Sequence, residues 1–176
     1  MKSKKITIWS TKGGVGKTSI CAELHFRLGF PVVTNDEYSI LSNIIGTKKL
    51  KILSKTEKIA NYHTSMLFDF GGYIDNRIID AIEQSTCIIV PISNSDIDIQ
   101  GAIDTVINLL PYKKDINIII GNRIKSNNDL IIIKEAFEKL EIKEFYCLNE
   151  SKAFFNMFKR RMSIIKMIEN NFYKYI

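Results

Sequence analysis

The sequence predicts an α/β fold: a single domain with a mostly parallel, twisted sheet and helices on both faces. Three observations carry that expectation. The chain has 176 residues, the length of one domain with one core. Short runs rich in Ile and Val alternate along it with stretches of helical period. A turn rich in Gly and Lys lies between the first such run and the first helical stretch. With 45% hydrophobic and 25% charged residues, three Pro and nine Gly, the composition is that of an ordinary globular protein and excludes a disordered, collagenous or fibrous chain.

The expected strands are Ile6–Trp9, Pro31–Val33, Met66–Phe68, Cys87–Ile92, Ile116–Ile120 and Phe145–Leu148, continuous apolar runs suited to burial on both faces of a parallel sheet. The expected helices between them are Ser19–Leu28, Ile74–Gln84, Ile97–Leu110 and Leu130–Leu140, the last with Ile133, Ala136, Phe137 and Leu140 at helical spacing. Residues 39–64 fit neither period and are left as loop and short helix. At the C-terminal end Phe154, Phe158, Met162, Ile165, Ile168 and Phe172 form one stripe, which predicts an amphipathic helix over about 151–175. Strands joined by right-handed crossovers place a ligand site beyond their carboxyl ends.

No apolar segment approaches the ~18 residues of a membrane span, and Met1–Lys5 leads into too short an apolar stretch for a signal peptide. Cys21, Cys87 and Cys147 are odd in number and far apart, without metal-ligand spacing. No disulfide is expected, and a reducing, cytoplasmic location is. His25 and His63 lack a partner at metal spacing, and no Ser-His-Asp or Cys-His constellation is present.

The sharpest chemical signal is Thr11-Lys12-Gly13-Gly14-Val15-Gly16-Lys17-Thr18-Ser19, directly after the first strand and before the first helix. Glycines let such a turn curl with its amides inward, so that N–H groups and the helix N-terminus cradle phosphate. Lys17 would reach the β- and γ-phosphates, and the Thr18 hydroxyl would ligate Mg²⁺. This predicts a P-loop NTPase, although the general motif opens with Gly where Thr11 stands.

The segment Lys12–Thr18 resembles the deviant Walker A motif of the ParA/MinD superfamily, which tolerates a non-Gly residue at that first position. The resemblance implies a sandwich homodimer formed on ATP binding, in which Lys12 reaches a phosphate of the partner's ATP, in the manner of an arginine finger. Val32-Val33-Thr34-Asn35-Asp36 resembles the family's Asp-x-Asp strand end. It places Asp36 near the attacking water and Mg²⁺, with Thr34 at the first acidic position, so hydrolysis is expected to be slow without a partner. Leu67-Phe68-Asp69-Phe70-Gly71-Gly72 resembles the Walker B strand and the switch after it, where Asp69 would hold Mg²⁺ through water and glycine amide would sense the γ-phosphate. Gly71 stands where the family commonly has Pro. Cys87–Pro91 followed by Ser93, Ser95, Asp96 and Gln100-Gly101 resembles the next strand and loop. Ile118–Gly121 followed by Asn122-Arg123 resembles the base-binding strand end, where the Asn122 amide can pair with adenine.

The formal net charge is +6, and residues 151–176 carry six basic residues against one acid. Lys152, Lys159, Arg160, Lys166 and Lys174 fall opposite the apolar stripe, and a second cluster comprises Lys48, Lys49, Lys51, Lys55 and Lys58. Such a surface suits DNA phosphates without sequence readout. The resemblance therefore implies a partition ATPase: it binds Mg-ATP, dimerises, coats non-specific DNA on the nucleoid, and is discharged by a ParB-like or small centromere-binding partner. Rival readings are a MinD-like ATPase lying on the membrane through its terminal helix, a weakly hydrolysing nucleotide-dependent DNA-binding module, and a phosphotransferase with a small acceptor. A membrane is not the expected partner, because stripping the last helix from so small a fold would uncover the sheet.

Overall fold

The computed structural model describes residues 3–71, 76–112, 116–140, 142–150 and 153–161. Its described strands are β1 (Lys5–Ile8), β2 (Val32–Thr34), β3 (Leu50–Ile52), β4 (Met66–Asp69), β5 (Cys87–Ile92), β6 (Ile116–Ile124) and β7 (Ile142–Asn149). They form one seven-stranded sheet in the order β3-β2-β4-β1-β5-β6-β7. Every pairing is parallel. The helices are α1 (Lys17–Leu28), α2 (Leu41–Ile44), α3 (Asn76–Gln84), α4 (Asp96–Leu109), α5 (Asn127–Ala136) and α6 (Ala153–Arg160).

Both faces are covered, as a parallel sheet requires. On one face Ile78, Ala81 and Ile82 of α3, Ala102 and Val106 of α4 and Ile133 of α5 pack onto Phe68, Ile88, Val90 and Ile119. On the other, Ile20, Cys21 and Leu24 of α1, Leu41 of α2 and Met157 of α6 pack onto Ile6, Ile8, Leu67 and Ile89. These two half-cores account for the strand runs being apolar without alternation.

β3 is a correction to the sequence reading, which left its region without a strand. It is a three-residue edge strand with Lys51 exposed, so neither length nor period announces it. Its lysines serve that edge: Lys49 Nζ donates to the Gly29 carbonyl at 3.4 Å and Lys51 pairs with Glu57 at 2.6 Å. The other elements shift by a few residues at most. α5 begins at Asn127 because Ser126 and Asp129 form a reciprocal capping box, and it closes at Ala136, short of the expected Leu140. α6 ends at Arg160, and Arg161 follows with a left-handed φ of 52°. The remainder of the predicted terminal helix, with Lys166 and Lys174, and also Lys152, lies outside the described residues.

Register positions the site. Ile8 is level with Asp69, and Thr34 is level with Asp69 on β4's other side. The loops after β1, β2 and β4 therefore leave the sheet at one height and meet above β1, the strand on either side of which the chain builds outward.

Candidate nucleotide site

The loop after β1 runs from Trp9 to Gly16 and delivers the chain into α1. Gly16 has φ 98°, and a Cβ there would collide with the Asn122 amide nitrogen, so this position demands glycine on two counts. α1 has no acid in its first turn, which leaves its N-terminal amides and dipole open to an anion. Gly14, Gly16, Lys17, Thr18 and Ser19 line a cavity of about 350 Å³ together with Asp36, Asp69, Phe70, Gly71 and Arg123. Residues expected from four separate sequence segments thus share one wall.

Lys17 turns inward, donating from Nζ to the carbonyls of Lys12 at 2.8 Å and Ser10 at 3.2 Å. Burial pulls its ammonium below the ordinary lysine value, opposed by the charge of Asp69. Asp69 is buried, and loss of hydration raises its carboxyl to about 6 even though it accepts from the Thr18 hydroxyl and faces Lys17. Asp36, on the exposed side, also raises it. Asp36 is at once a pocket and a turn residue, since its carboxylate accepts from Tyr38 N at 3.0 Å. Thr34, which the resemblance sets at the first acidic position, is buried and accepts from Asp36 N at 3.2 Å.

Hydroxyl and carboxylate oxygens on one cavity wall, one of those carboxylates short of compensating positive charge, fit a hard divalent cation. Among the described residues no three His, Cys, Asp or Glu stand together at metal-holding distance. Such an ion would take its remaining ligands from phosphate and water.

Lys12 is placed differently from Lys17. It is not part of the cavity wall. Its stem lies against α4, where a Cβ on Gly101 would come within 3.2 Å of the Lys12 Cβ. Thr11, the departure from the general motif, ties the turn to the same helix: its N–H donates to Thr105 Oγ1 at 2.9 Å and its hydroxyl to the Gly101 carbonyl at 2.9 Å. Gly13 is exposed at the crest, and Val15 is buried beneath it.

Asn122 sits under the turn. Its Nδ2 donates to the Val15 carbonyl at 3.0 Å and its Oδ1 accepts from Arg123 N at 3.0 Å, with 3% of the residue exposed. Each end of the amide makes one bond within the protein, which leaves one N–H and one lone pair on a side chain that is nearly inaccessible. Arg123, with a left-handed φ of 57°, turns out of β6 to the cavity. Lys159 and Arg160 are exposed on the last turn of α6 and do not line this cavity.

Sequence reasoning missed Ser10, Asn35, Phe70 and Thr105. Asn35 Oδ1 accepts from the Gly71 amide at 2.8 Å, binding the loop after β4 to the end of β2. The signal for Asn35 was its place between Thr34 and Asp36; Thr105, 94 residues from Thr11, had none. Cys21 and Cys87 are buried, and the Cys21 and Cys147 thiols are held above their ordinary values by burial, so none is a ready nucleophile. His25 Nδ1 donates to the Phe30 carbonyl at 2.7 Å as a packed residue.

No family model and no curated protein matches the chain. Solved structures do. Apo McdA of Cyanothece superposes with a TM-score of 0.69 at 14% identity, over 91% of both chains. MinD of Pyrococcus horikoshii complexed with Mg-ADP gives 0.69 at 15%, over 91% of this chain and 86% of that one. A plasmid partition protein from Borrelia burgdorferi bound to AMPPNP gives 0.63 at 15%, over 99% and 96%. The chain has the fold of these proteins, in agreement with the fold that the resemblance of its phosphate loop implies.

Proposed function

We propose that this protein is a Mg²⁺-dependent ATPase of the positioning type, specifically a DNA-partition ATPase that works as a nucleotide-closed homodimer. The observation that carries the reading is the division of labour between two lysines in one turn. Lys17 points into the cavity, while Lys12 stands outside it with its stem braced on α4. A lysine so placed has no phosphate to serve in its own site and is free to serve one across a face-to-face pair.

Within one subunit, the amides of residues 13–18, the α1 dipole and Lys17 would hold the triphosphate. Thr18 and Asp69 would hold Mg²⁺, which when bound supplies neutralisation of charge on the β- and γ-oxygens. Asp36, on the open side, would orient water, and Arg123 would cover the mouth. With Thr34 buried in place of an acid, turnover unassisted is slow. The +6 charge and the exposed Lys159 and Arg160 support non-specific DNA as the surface on which the dimer sits. A structural neighbour that is a plasmid partition protein bound to AMPPNP supports the same choice. Discharge from DNA would fall to a ParB-like or small centromere-binding partner.

Sedimentation with AMPPNP tests the reading. The wild-type chain is expected to dimerise at saturating analogue, and Lys12→Ala to stay monomeric while still binding nucleotide through Lys17. Phosphate release by the variant, measured with DNA present, should fall on the order of a thousandfold, as for loss of an arginine finger. A wild-type chain that remains a monomer under saturating AMPPNP refutes the proposal.

A further inference from the structure

Gly101 stands in the second turn of the 14-residue helix α4. Glycine inside a helix is a poorer choice than alanine, because it gives up more chain entropy on folding. Backbone geometry does not call for it here: the glycines with left-handed φ are Gly14, Gly16 and Gly29. Room for a neighbour does. A Cβ on Gly101 would meet the side chain of Lys12, with its Cβ, Cγ and Cδ at 3.2, 3.7 and 3.8 Å, and these are the three nearest atoms beyond the local helix. The Lys12 stem therefore lies along bare helix backbone at the one place in α4 that has no side chain.

The same helix fixes the chain just before that stem. The Gly101 carbonyl accepts from the hydroxyls of Thr11 at 2.9 Å and Thr105 at 2.7 Å, and Thr105 Oγ1 accepts from Thr11 N at 2.9 Å. From the cavity side, the Lys12 carbonyl accepts from Lys17 Nζ at 2.8 Å. The main chain at Thr11 and Lys12 is held on two sides, and the first three carbons of the Lys12 side chain rest on Gly101. A lysine stem is costly to immobilise, and a contact that restricts it in advance lowers the cost of binding.

We propose that Gly101 is a positioning residue for Lys12: by leaving α4 bare beneath the stem, it sets the course along which the ammonium reaches a phosphate of the facing subunit. This rests on the homodimer reading above and adds to it the group that aims the lysine. Gly101 does not line the nucleotide cavity, so it acts through Lys12.

Gly101→Ala tests the assignment, because one methyl displaces the Lys12 stem while alanine favours the helix. Two measurements are paired: sedimentation equilibrium with saturating AMPPNP, and titration with a fluorescent AMPPNP analogue at protein concentrations that keep the chain monomeric. Gly101→Ala should raise the dimer dissociation constant at least about tenfold, within the range that a misplacement of about 1 Å produces, while its monomer binds the analogue within about twofold of wild type. Thr105→Val, which strips the hydroxyl that accepts from Thr11 N, should weaken the dimer in the same way, and Thr105→Ser should restore it; this pair supplies the comparison if Gly101→Ala does not fold. A wild-type chain that stays monomeric sinks the homodimer and this inference with it. A wild-type dimer that Gly101→Ala weakens less than about tenfold leaves the homodimer standing and overturns the inference alone. Equal losses of analogue binding and of dimer would mark a general loosening of the turn and overturn it too.

Discussion

Asp69 stands in the described structure as a buried acid whose carboxyl is raised to about 6 from an ordinary 3.8. Between those two values the folded chain holds a proton that the unfolded chain releases. The free energy of unfolding therefore falls as pH rises through that window, by at most on the order of 3 kcal/mol, and levels off above it. In the absence of nucleotide and Mg²⁺, thermal melts should show higher stability at pH 5 than at pH 8 from this residue. Asp69→Asn, which keeps an acceptor for the Thr18 hydroxyl, should flatten that difference and raise the melting temperature at pH 8 by several degrees. The same variant should lose Mg²⁺-dependent nucleotide binding. A melting profile of Asp69→Asn that still slopes like wild type would contradict the assignment of the slope to this carboxyl. At this scale the sequence was most readable where spacing itself states the chemistry: Lys17 and Thr18 at the end of a glycine turn, and Asp69 at the end of an apolar run. It was opaque where the partner arrives through tertiary structure. Nothing in Asn122 itself tells that its amide will meet the Val15 carbonyl, 107 residues earlier. That bond makes a further prediction. Asn122→Leu leaves the buried carbonyl unpaired, at a cost of roughly 1–3 kcal/mol in chemical denaturation, and weakens nucleotide affinity by loosening the turn.

Helices and strands were legible to the extent that burial imposes a period. α1, α3 and α4 lie within a few residues of where their patterns place them, since each lays an apolar face on the sheet. α5 shows the limit of periodicity. The apolar pattern marks Leu130, whereas the helix is started by Ser126, whose hydroxyl accepts from Asp129 N at 3.2 Å. Ser126→Ala should cost about 1 kcal/mol in urea unfolding. β3 stayed hidden because a short edge strand has only one neighbour and wants lysine rather than an apolar run. α6 is held by Met157, fully buried beside α1 and the sheet, one position before the Phe158 of the predicted stripe. Met157→Ala is expected to destabilise the chain by about 2–5 kcal/mol, read from urea midpoints. A loss below ~1 kcal/mol would mean that α6 is not part of the core.

For the molecule as a whole, alternation of strand and helix indicated the layered architecture, and charge indicated a polyanion. Among the described residues no helix is long and apolar enough to cross a membrane. Three exposed cations, Lys159, Arg160 and Arg161, stand together at the end of α6. If they meet DNA, replacing all three with Ala should make the salt dependence of ATP-dependent DNA binding shallower, by about 0.9 in the log–log slope for each phosphate no longer neutralised. An unaltered slope would move the DNA surface elsewhere, with the exposed lysines of the β3 edge next in line. The tie between Thr11 and α4 has its own consequence for how such a body is driven. Two hydroxyls and a lysine stem fasten the crest of the glycine turn to a helix whose far side faces outward. A displacement of α4 at Gly101 or Thr105 would therefore act directly on Thr11 and Lys12, at the start of the turn.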